Sequence, residues 1–148
     1  MSLEKQINDE IKAAMLAKEK VRLTALRAVK SEILLAKTAD GSETIADGAV
    51  LKIVQKLVKQ RRESAAVYTE SGRPELAENE LAEAAELEGF LPAQMSGVEL
   101  ESALKAIIEQ VGAKAPSDMG KVMGVASKAL AGKAEGRMIS EVVKRLLN

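Results

Sequence analysis

The sequence has no cysteine, histidine or tryptophan, and just one tyrosine and one phenylalanine. Without cysteine there is no disulfide framework and no thiolate nucleophile, and without histidine the commonest ligands for zinc and other transition metals are missing as well. Histidine is also the usual base that activates a serine. Ser64, which follows Arg61, Arg62 and Glu63, therefore reads as a tolerated mid-helix serine rather than a nucleophile. Neither G-x-x-x-x-G-K-[ST] nor G-x-G-x-x-G occurs, so a standard nucleotide site is unsupported and no cofactor is expected. No uncharged apolar run approaches the roughly 20 residues that span a bilayer. The opening MSLEKQINDE carries acids where a secretory leader has an apolar segment. A cytoplasmic chain without a membrane partner is expected. The shortage of aromatics also disfavours reading single-stranded nucleic acid by base stacking.

What is present is a helix former's composition, with 47% apolar residues, so that any core is built from Leu, Ile, Val, Ala and Met. Apolar positions recur every three or four residues from Leu3 to about Lys18 and from about Lys20 to Lys37, which predicts two helices. The stretch TADGSETIADG reads as a loop. A longer helix follows, with Val50, Val54, Leu57, Val58, Ala65 and Tyr68 in phase and Gly72 as its stop. Pro74 opens an acidic helix to about Glu88, whose Glu75, Glu78, Glu80, Glu83, Glu86 and Glu88 are expected to form a solvated face. Ser96, three residues before Glu99, gives a capping-box signature ahead of Leu100, Leu104, Ile107, Ile108 and Val111. Gly112 ends that helix, and Ser117 or Asp118 starts another that stops near Gly132. A last helix is expected to place Met138, Ile139, Val142, Val143 and Leu146 on one face. All three prolines, Pro74, Pro92 and Pro116, are expected at or near first turns. The predicted fold class is all-α, with a multi-helical N-terminal domain over residues 1–93 and a three-helix C-terminal domain over residues 94–148.

Formal charge balances, yet residues 1–62 carry thirteen Lys/Arg against eight acids, residues 63–109 two against eleven, and residues 110–148 seven against three. Two basic blocks flank an acidic one, and a polyanion responds to such local potential rather than to the net value. Gly120 and Gly124 each cost a helix interior up to about 1 kcal/mol relative to Ala. Close helix packing through a small-residue face is the expected compensation. The alternative is close approach of a ligand backbone at a helix start where Lys121 lies one turn in.

Several blocks taken together resemble the GatB/YqeY family over nearly the whole chain: KAAMLAKEKVRLTALR, KLVKQRRESAAVY, GRPELAENELAE, FLPAQMS, DMGKVMG and GKAEGRMISEVVKRLL. DMGKVMG is the most specific, because it stacks Met, Gly and Lys in an order that helix propensity would not choose. Departures fall at Met95, at Glu135 where Asp is usual, and at Ala131-Gly132. The resemblance implies an N-terminal helical domain joined to a three-helix unit. It relates that unit to the RNA-contacting tail of the B subunit of glutamine-dependent tRNA amidotransferases, carbon-nitrogen ligases whose active site lies elsewhere in that subunit.

The expected function is a non-catalytic, translation-associated module that interacts with tRNA, with a protein-interaction adaptor as the alternative and a catalytic amidotransferase third. Expected partners are tRNA and components of an amidotransferase or aminoacyl-tRNA synthetase; DNA is not expected. The candidate RNA-binding residues are Lys121, Lys128, Lys133, Arg137, Lys144 and Arg145, with Lys56, Lys59, Arg61 and Arg62 as a second basic group. Glu141 is expected to pair with Arg145 at i+4 and remove part of its charge.

Overall fold

The computed structural model describes residues 2–148, and among them there are seven α-helices, one short 3-10 helix and no strand. The chain is all-α, as its periodicity predicts. Its contacts divide into two compact units, Met1–Leu91 and Pro92–Asn148.

The N-terminal unit is built from α1 (Leu3–Ala17), α2 (Lys20–Asp40), α3 (Asp47–Glu70) and α4 (Pro74–Glu88). Ser2 caps α1 by accepting from the Lys5 amide, and Lys18 ends the helix in the left-handed region at φ 59°. Helix α2 runs past Lys37 to Asp40 and stops at Gly41, φ 64°, where the positive angle suits glycine. Thr38–Asp40 are thus helical although the polar composition reads as loop. Pro74 stands in the first turn of α4, where its missing amide hydrogen costs nothing. Ile7, Leu26, Val29, Ile33, Val50, Val54 and Leu87 meet in one core, with Phe90 and Leu91 packed against it.

Helix α4 does not present the solvated acidic face its composition suggests. Glu83 is buried, with its Oε1 3.7 Å from Arg61 Nε. Glu86 accepts from Arg22 Nη1 at 2.7 Å, while the other end of that guanidinium holds Glu10 at 2.7 Å, so one arginine joins α1, α2 and α4. Glu88 pairs with Arg62. Of the six acids, Glu75 and Glu78 remain exposed, and Glu80 is half-buried. Periodicity shows which side of a helix is apolar, but the cations brought by α2 and α3 reach α4 through tertiary packing.

The C-terminal unit comprises α5 (Gly97–Val111), the 3-10 helix Pro116–Asp118, α6 (Met119–Ala129) and α7 (Gly136–Leu147). The predicted capping box is present: Ser96 Oγ accepts from the Glu99 amide at 3.2 Å, and Glu99 Oε1 accepts from the Ser96 amide at 3.1 Å. Ser96→Ala should lower the unfolding free energy of this unit by about 1 kcal/mol; thermal denaturation checks it, and an unchanged midpoint would refute it. Pro92 precedes α5 by five positions and so lies outside its first turn, unlike Pro74 and Pro116. In α7 the buried residues are Ile139, Val143 and Leu147, while Met138 is 46% exposed. The inward stripe is therefore centred one position further along than the sequence suggests. These side chains close a second core with Leu100, Leu104, Val122 and Ala126.

Candidate nucleic-acid interface

All six cations expected to contact RNA belong to the C-terminal unit and are exposed. Lys121 and Lys128 lie seven residues apart on α6, on the side opposite the buried Val122 and Ala126. Lys133 sits in the turn after α6, where its carbonyl accepts from the Met95 amide at 3.0 Å. Arg137 is in the first turn of α7, and Lys144 and Arg145 are in the last, where cations complement the helix dipole.

The six differ in how much of their charge is already used. Arg137 Nε lies 3.2 Å from Glu141 Oε1, and Arg145 Nη1 lies 3.5 Å from Glu101 Oε1 on α5. The expected Glu141–Arg145 pair is therefore replaced by two others. Among the described residues, no ion pair engages Lys121, Lys128, Lys133 or Lys144.

The second basic group has been drawn into the N-terminal unit. Lys56 Nζ is 3.5 Å from Glu32, the half-buried Arg61 packs against Glu83, and Arg62 holds Glu88. Lys59 is exposed on α3.

Gly120 and Gly124 share the outward side of α6 with Lys121 and Lys128. Both glycines are exposed, and a Cβ added at either would meet nothing within 4 Å. The expected packing through a small-residue face is thus not what they provide. Helix packing against the core is carried by Val122 and Ala126 instead.

The start of α6 is not an open anion site. Asp118 Oδ2 accepts from the Lys114 amide at 2.9 Å and the Ala115 amide at 3.2 Å. Those bonds hold the Asp118 carboxyl below the usual carboxylate range, with Lys121 adding a smaller effect. Glu99 is lowered by the amide of Ser96, and Glu101 by its hydrogen bond from Arg145. Burial pushes Glu83 the opposite way, partly offset by Arg61.

A carboxyl lowered in the folded state stabilises the protein above its ordinary pKa, and that contribution disappears as pH falls through the folded value. Asp118 thus favours the folded C-terminal unit at neutral pH and loses this effect below about pH 4. Glu83, being raised, contributes in the reverse sense, its effect fading as pH rises through the folded value. Asp118→Asn should flatten the acid limb of the C-terminal unit's melting temperature between about pH 5 and 2. Equal slopes in variant and parent would refute the assignment.

No group of three or more Asp or Glu that could hold a metal occurs among the described residues. An open surface depression on α3 is bordered by Gln60, Glu63, Ser64, Val67 and Tyr68. No helix among the described residues is long and apolar enough to cross a membrane.

Among the described residues the chain is all-helical, with exposed cations on its C-terminal unit. The chain belongs to the family described as Yqey-like protein, whose model matches residues 4–147. No curated protein matches it.

Proposed function

We propose that the chain is a non-catalytic, translation-associated module that binds a folded RNA, tRNA by family resemblance, through the exposed cations of its C-terminal unit. The observation that carries this reading is the unequal use of charge. Lys56, Arg61 and Arg62 are tied to carboxylates within the N-terminal unit, whereas Lys121 and Lys128 stand on one open side of α6. Ammonium groups so placed address phosphates, which fix a protein on RNA without reading bases. With two aromatic residues in the chain, contact with the shape and backbone of a folded RNA fits better than stacking on unpaired bases. Cytoplasmic residence and association with amidotransferase or synthetase components belong to the same proposal. No amide-forming step is included, because that chemistry belongs to another part of the larger relatives.

Filter binding of the purified chain to tRNA across about 50 to 200 mM salt tests it. The affinity should fall linearly on logarithmic axes as counterions are displaced from phosphates. Absence of salt-dependent retention would overturn the proposal.

A further inference from the structure

The solvent side of α2 carries a pattern that RNA binding does not use. Lys20, Arg27 and Leu34 recur at seven-residue intervals on the side facing away from the buried Ala25, Leu26, Val29 and Ile33. Thr24 and Ser31 lie between them along the chain, Leu35 follows Leu34, and all six are exposed. Leu34 and Leu35, side by side near the end of the helix, are 51% and 65% exposed. Lys30 borders the same strip and is exposed.

No acid of α2 itself lies along the strip. Helix α2 contains two, of which Glu32 reaches Lys56 and Asp40 is the final residue. Lys37, the other cation near the leucines, is taken by Glu4 at 2.7 Å. The strip is therefore cationic over its first half and apolar near its end, along a helix about 30 Å long.

We propose that this strip docks an acidic amphipathic helix of a partner protein, with apolar residues of that helix covering Leu34 and Leu35 and carboxylates meeting Lys20, Arg27 and Lys30. Charge complementarity selects the occupant. An RNA backbone would match the cations but would leave the two leucines against phosphate and water. A lipid surface requires an apolar side continuous along the helix, and here Thr24, Arg27 and Ser31 interrupt it. A helix laid in a shallow groove uses apolar anchors at helical spacing, with charge setting its direction.

The test uses the full chain and a synthetic peptide with leucines at i, i+3 and i+7 and glutamates on the flanking positions. A scrambled peptide of the same composition is the control, and nuclear magnetic resonance titration is the readout. Amide shifts should concentrate on α2. Both Lys20→Glu/Arg27→Glu/Lys30→Glu and Leu34→Ser/Leu35→Ser should weaken binding by about tenfold or more, with helix content unchanged by circular dichroism. Equal binding of the scrambled peptide would overturn the proposal, as would indifference to the leucine changes. So would preferential occupation of this strip by tRNA or by phosphatidylglycerol vesicles.

Discussion

Changing Lys121, Lys128 and Lys144 together to Glu should lower tRNA affinity by roughly a hundredfold or more near 0.1 M salt, because each lost phosphate contact forfeits its displaced counterions. The salt slope should become shallower by about 0.7 to 0.9 for each contact removed. The choice of residues follows from the ion pairs. Arg137 is engaged by Glu141 and Arg145 by Glu101, so neither offers RNA its full charge. Lys144 lies in the last turn of α7 without such an engagement among the described residues. Its replacement also places a carboxylate at the negative end of that helix, so circular dichroism is needed alongside binding. The matched control is Lys20→Glu/Arg27→Glu/Lys30→Glu on α2, which reverses as much charge on the other unit and should leave tRNA binding within a fewfold of the parent. Equal losses in the two triple variants would mean that RNA responds to overall charge. Loss confined to the α2 variant would move the interface to the N-terminal unit.

Helix positions are legible from three- and four-residue spacing alone, because burying one apolar stripe outweighs other local preferences, and Ile7, Val54, Leu104 and Val143 all mark that stripe. The capping box at Ser96 and Glu99 is legible because both partners lie within one turn. Ion pairs are less so. Glu141 has an arginine four residues to either side, and helix statistics favour the later one, where the acid precedes the cation. The structure pairs it with Arg137, because Arg145 is within reach of Glu101 on α5. The fate of α4 has the same origin: Arg22, Arg61 and Arg62 are remote from it in sequence and become its partners only after the helices pack. Asp118 is likewise legible as a carboxylate near a helix start, while its bonds to the amides of Lys114 and Ala115 depend on the backbone turning back there. The role of Gly120 and Gly124 cannot be read at all without knowing which side of α6 faces the core.

Those two glycines support a prediction in which stability and binding move in opposite directions. Gly124 lies inside α6 and Gly120 at its second residue, neither has a positive φ, and the space around both is open. Alanine can adopt the same backbone there without a clash. Gly124→Ala should stabilise the C-terminal unit by up to about 1 kcal/mol, since glycine gives up more backbone entropy than alanine on entering a helix. Gly120→Ala should add a smaller increment because first-turn positions are less committed to the helix. If the glycines allow an RNA backbone to approach α6 between Lys121 and Lys128, two methyl groups on that side hold it away. The double variant should then bind tRNA about tenfold more weakly, a difference of roughly 1.4 kcal/mol. No charge is removed, so its salt slope should stay near that of the parent, unlike the lysine variant's. A higher melting temperature with unchanged affinity would show that Lys121 and Lys128 reach phosphate through their long side chains alone, and the glycines would then be left without a binding role.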